Sequence, residues 1–197
     1  MFRVTLITGG LLAILGITVA PRSAYTQDSV PGTDAIAQAI VTESLGITAG
    51  EKVLILGPVR EMQLLEDLTF HVRNQGAFPL LTITSDRLAE RELDVSSRYD
   101  GDTDAFELAL MDVIDVSLVV APDMAPDLLT RLPPERLATQ NAAYEPIARR
   151  FQERGIRFLE IGNSLAPTEW RARQAGMSKD SLAAMFWEGI GVDYAQL

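Results

Sequence analysis

Lys52-Val53-Leu54-Ile55-Leu56 places four aliphatic side chains in a row and then halts at Gly57-Pro58. A run this short and this apolar reads as a strand buried on both faces, and such strands belong to parallel sheets covered by helices. The same unit recurs on either side of it. Upstream, Thr33 or Asp34 can cap a helix in which Ile36, Ile40, Val41 and Leu45 form an apolar stripe, and Gly46 ends it. Downstream, residues 61–75 return to helical spacing through Met62, Leu65, Leu68 and Val72, Gly76 closes them, and residues 79–84 form a second strand. A less regular stretch follows. Residues 103–113 then read as a helix and 115–121 as a third strand stopped by Pro122.

Pro133-Pro134-Glu135 opens a further helix reaching Arg154, with a break at Pro146 left open, and residues 156–161 form a fourth strand. Two short helices close the pattern, over residues 168–175 and, capped by Ser178, over 179–187. Alternating buried strands and helices predict an α/β fold: an open, mainly parallel sheet of about four strands with helices on both faces, of the Rossmann-like or flavodoxin-like three-layer kind. Ligands of such sheets sit beyond the carboxyl ends of the strands. Here those ends are Gly57-Pro58-Val59-Arg60, Ser85-Asp86-Arg87, Pro122-Asp123-Met124 and Gly162-Asn163-Ser164.

The first residues are of another kind. Met1-Phe2-Arg3 carries one positive charge, and residues 4–20 then run without any charge. That run is slightly long for the apolar stretch of a secretory signal and slightly short for a spanning helix of ~20 residues. Residues 1–24 are therefore expected to be a signal peptide or a membrane anchor, residues 25–32 a linker, and residues 33–197 one domain. Export to the periplasm or the exterior, or anchorage through residues 4–20, is the expectation that follows. The cleavage site stays open, since Pro21 follows Ala20 and Arg22 precedes Ala24.

With 17 basic and 27 acidic residues in 197, the formal charge is −10, which disfavours phosphate backbones and makes nucleic acid an unsuitable partner. No cysteine is present, so disulfides, thiolate metal sites and thiol nucleophiles are excluded together. The single histidine, His71, lies mid-helix between Phe70 and Val72, where a surface or half-buried structural role is expected. One imidazole does not build the usual zinc site. Asp100-Gly101-Asp102-Thr103-Asp104 has the acid spacing that opens a calcium loop, but Ala105 stands where the turn needs glycine and Met111 where a bidentate glutamate belongs. An acidic loop capping the next helix is the better reading.

Gly57-Pro58-Val59-Arg60 offers one glycine and then a residue without an N–H, so it is no phosphate cradle. Gly162-Asn163-Ser164-Leu165 lacks the second glycine of a nucleophile elbow. Asp86 with Glu90 or Glu92 makes carboxylate pairs of the sort that arise by chance among 27 acids. From composition and motifs no catalytic, cofactor-binding or metal-ligating residue is assigned.

Several segments resemble, in order, the N-terminal domain of the aminopeptidase T and aminopeptidase S family of metallopeptidases. Residues 39–55 resemble its opening helix, SLG turn, x-x-G-x-K-V connection and first strand. Residues 75–81 resemble its AGA-x-P lead to the second strand. Pro133 to Ala138 is similar to its DPERLA helix start, and Ala172 to Ser178, above all Gln174-Ala175-Gly176-Met177-Ser178, to its A-x-x-AGMS turn. The residues at 187–191 depart from the family's polar helix end. The resemblance implies a two-domain aminopeptidase in which a pair of divalent metals, zinc or cobalt, is held by a second domain, so no ligand position carries over to this sequence. It implies a truncated, first-domain-only chain, inactive alone, whose partner is the missing C-terminal catalytic domain or a downstream-encoded half; a homo-oligomer stays open. A stand-alone secreted binding domain on the same scaffold is the alternative.

Overall fold

The computed structural model describes residues 32–120, 131–162 and 167–190. Four strands, β1 (Lys52–Pro58), β2 (Phe78–Thr84), β3 (Val116–Val120) and β4 (Arg157–Ile161), form one sheet in the order β2-β1-β3-β4. All three pairings are parallel, with Ile55 opposite both Leu81 and Leu118. The predicted α/β class, the four strands and their parallel sense are what the chain adopts.

Seven α-helices accompany the strands among the described residues: α1 (Thr33–Ala39), α2 (Met62–Asn74), α3 (Asp86–Glu92), α4 (Ala105–Met111), α5 (Pro134–Glu153), α6 (Glu169–Ala175) and α7 (Lys179–Ile190). Alternation along the strands decides which helices meet which face. From β1 and β3, Val53, Ile55, Val116, Leu118 and Val120 point to one side and pack with Val41, Leu64, Leu65, Leu68 and Val72 of the α1–α2 layer. Leu54 points to the other side, where Met111, Ile114, Ile147 and Ile156 form a second, smaller cluster with Phe151. Each fully buried aliphatic side chain contributes roughly 1.5–3 kcal/mol. The chain steps from β1 outward to β2 and then back past β1 to β3. Right-handed crossovers in opposite directions put α2 and α4 on opposite faces, and α5 joins α4 because β3 to β4 continues the second direction.

The structure corrects the sequence reading at several boundaries. β1 runs on through Gly57 and Pro58 instead of stopping before them. The stretch read as irregular holds α3 and a 3₁₀ turn, Ser97–Tyr99. α5 is continuous through Pro146; the carbonyl of Ala143 in the preceding turn accepts from Thr103 Oγ1 at 2.8 Å, and Ala142 is exposed to solvent. After α1 the helix widens into a π turn over Ile40–Ser44, released where Leu45 N–H bonds Ile40 C=O and Gly46 turns at φ 54°. The last helix continues to Ile190. The expectations for residues 1–31, for Pro122-Asp123-Met124 and for Asn163-Ser164 lie outside the described residues. Among the described residues no helix is long and apolar enough to cross a membrane.

Candidate functional site

The loop between α3 and α4 is drawn onto α5 by a buried ion pair. Asp100 turns inward, and Arg136 grips both of its oxygens, Nε to Oδ2 at 2.7 Å and Nη2 to Oδ1 at 2.9 Å. Arg136 also donates to the carbonyls of Leu93 and Val95, so one guanidinium ties the end of α3, the loop and α5 together. Gln140, one turn further along α5, donates to Asp100 Oδ1 at 2.9 Å. These bonds from Arg136 and Gln140 hold the Asp100 carboxyl below the usual aspartate range.

Four residues on, Asp104 caps α4: its Oδ1 accepts from the N–H groups of Phe106 and Glu107 at 2.8 and 3.0 Å. The triplet Asp100, Asp102 and Asp104 thus divides between a buried ion pair, an exposed loop position and a helix cap. It does not converge as a calcium loop would, and the helix-capping reading is the one the geometry supports.

Between α3, this loop, α4 and α5 lies a cavity of about 550 Å³. It sits on the α4–α5 face at the carboxyl-terminal side of the sheet, because α3 starts where β2 ends and α4 runs back toward the start of β3. Its floor is apolar, made by Leu93, Ala143 and Ile147, and its sides carry the phenols of Tyr99 and Tyr144. Its acids are Glu92, Asp100, Asp102, Asp104 and Glu107, and among the described residues no basic side chain lines it. Burial, and then the charge of Asp104, push the Glu107 carboxyl above the usual glutamate range. Burial and the Glu107 charge likewise raise the Tyr144 phenol.

The other places singled out in the sequence have structural partners. His71 is 7% exposed, a correction to the surface or half-buried position expected, and its Nε2 lies 2.8 Å from Asp34 Oδ1, joining α2 to α1. Arg60, beyond β1, lies 3.6 Å from Asp86 at the start of α3; of Asp86, Glu90 and Glu92, only Glu92 reaches the cavity. Burial raises the neighbouring Glu61 carboxyl against the opposing charges of Arg60 and Lys179. Among the described residues no three His, Asp or Glu side chains are grouped so as to hold a metal ion. Sequence reasoning missed the cavity. Its acids other than Glu107, which was not singled out, were read as a capping loop and as chance pairs, and nothing local marks Arg136 as the partner of Asp100 across 36 residues.

No family model matches the chain, and no curated protein matches it. Among solved structures it is similar to wild-type AmpT from Thermus thermophilus, at a TM-score of 0.63 and 17% identity, over 81% of this chain and 42% of that one. This chain therefore spans less than half of that protein's length, and the likeness shows a shared α/β fold.

Proposed function

We propose that this chain supplies the first domain of an exported, metal-dependent aminopeptidase, built on that family's α/β scaffold, and that this domain by itself does not release N-terminal amino acids. The observation that carries the reading is the match of the sheet and its helices to 42% of AmpT, in a chain with one histidine that is already engaged by Asp34. Activating water with two metals needs several converging ligands. The catalytic pair and its zinc or cobalt would belong to a second domain or to a separately encoded half, with which this domain would associate. Incubating the purified chain with leucine 4-nitroanilide and added zinc or cobalt tests the inactivity; no nitroaniline release is expected. Release that disappears with a chelator and returns with metal would overturn it.

A second reading, a secreted binding domain on the same scaffold, is favoured by one observation, the acid-lined cavity between α3, α4 and α5. A cooperative melt of the purified chain that shifts upward with a bound small molecule supports this reading, because a ligand held only by the folded state stabilises it.

A further inference from the structure

We infer that the groove between α3, α4 and α5 is a binding site for a linear aliphatic polyamine. The inference stands apart from the aminopeptidase-like reading and survives the loss of it. The groove's volume, about 550 Å³, falls within the roughly 300–1,000 Å³ of small-molecule sites.

The charge balance identifies the occupant. Asp100 is fully answered by Arg136 and Gln140, and Asp104 directs one oxygen to the N-terminus of α4. Glu92, Asp102 and Glu107 have no ion-pair partner among the described residues. Arg98, beside the lining residue Tyr99, is folded over that ring at 4.5 Å from its centroid and hydrogen-bonds the phenol, and it does not line the groove. Among the described residues, negative charge therefore stands around an apolar floor with no cation lining it. The raised Glu107 carboxyl is the expected response to burial beside Asp104 in the absence of a cation.

The hydrogen-bonding inventory narrows the class further. Carboxylates only accept, the Gln140 amide already donates to Asp100, and the phenols are the remaining donors. A peptide or amino acid would bring carbonyl or carboxylate oxygens that find few donors here. An alkylammonium brings donors alone, and its methylenes can lie on Leu93, Val95 and Ile147 while a charged nitrogen meets the Tyr144 ring. The acids come from three separate places, Glu92 on α3, Asp102 and Asp104 on the loop, and Glu107 on α4, which suits several ammonium groups spaced along a chain better than one. A divalent metal needs its oxygens converged within ~2.3–2.6 Å, and the described acids are not grouped in that way.

Calorimetric titration of the full chain with spermidine, at about physiological ionic strength, tests the site. One saturable site is expected, weakened about tenfold or more by Glu107→Gln and again by Asp102→Asn. Replacing Glu43 and Glu66, exposed acids on the α1–α2 face, by glutamine is expected to leave the isotherm unchanged and so separates the groove from general acidity. Asp102 is exposed, so its variant reads binding without the change in stability expected of Glu107→Gln. Non-saturable heat, an equal response to the Glu43 and Glu66 pair, or displacement of spermidine by equimolar calcium or by tetralysine would each overturn the assignment.

Discussion

Arg136 answers Asp100 so completely that removing it leaves a carboxylate enclosed by protein with only Gln140 as donor. Arg136→Met is expected to lower the melting temperature at neutral pH. Because the folded-state pKa of Asp100 is depressed, its contribution is present above the unfolded aspartate value of about 3.9 and is lost as pH falls through the folded one. The gap between wild type and Arg136→Met should therefore narrow on acidification, as followed by thermal melts from neutral pH downward. Glu107 has the opposite sign. Its raised pKa means that ionising it opposes folding, a cost that grows as pH rises from the unfolded glutamate value through the folded one. Glu107→Gln should raise the melting temperature at neutral pH and leave it unchanged in acid. None of this was legible in the sequence, since an aspartate in an acidic loop and an arginine 36 residues later carry no local sign of their meeting. His71 shows the same limit, for its partner Asp34 lies 37 residues upstream on another helix.

Elements were more legible than contacts, and for a physical reason. The runs 53–56 and 116–120 are mostly apolar because both faces of β1 and β3 are covered, so composition alone declares them. α3 escaped because no residue of it is buried, and a helix without an apolar stripe leaves only its cap as a signal, here Ser85 accepting from Leu88 N–H. β2 and β4, at the sheet edges, leave Phe78 and Phe158 half exposed, and their patterns are correspondingly weaker. Gly57 marks a close approach of elements. A Cβ there would stand 2.6 Å from Leu65 Cδ2 and 3.2 Å from Val120 Cβ, so Gly57→Ala is expected to destabilise by about 1–3 kcal/mol in urea unfolding. In α5 the expectation reverses. Proline in a helix interior costs ~3 kcal/mol relative to alanine, partly offset by ~0.4–1 kcal/mol of unfolded-chain entropy, so Pro146→Ala should stabilise by about 2 kcal/mol.

For the whole molecule, the reversal of strand order around β1 organises both core and groove. It sends α2 and α4 to opposite faces, which builds the larger cluster under α1 and α2 and leaves the smaller one beneath the cavity. Leu118→Ala, at the centre of the larger cluster, should cost about 2–5 kcal/mol and weaken the whole sheet, because β3 pairs with both β1 and β4. The architecture was readable in advance from strand rhythm alone. The groove was not, because it is made where three separate segments close over one another and only tertiary structure brings them together.

A scaffold without the metal pair is the claim on which the proposed function turns, and it is a claim about donors. Metal content of the full chain, measured by elemental analysis after loading with zinc or cobalt and exhaustive buffer exchange, addresses it directly. No stoichiometric retained metal is expected. One or two tightly held ions per chain would contradict it.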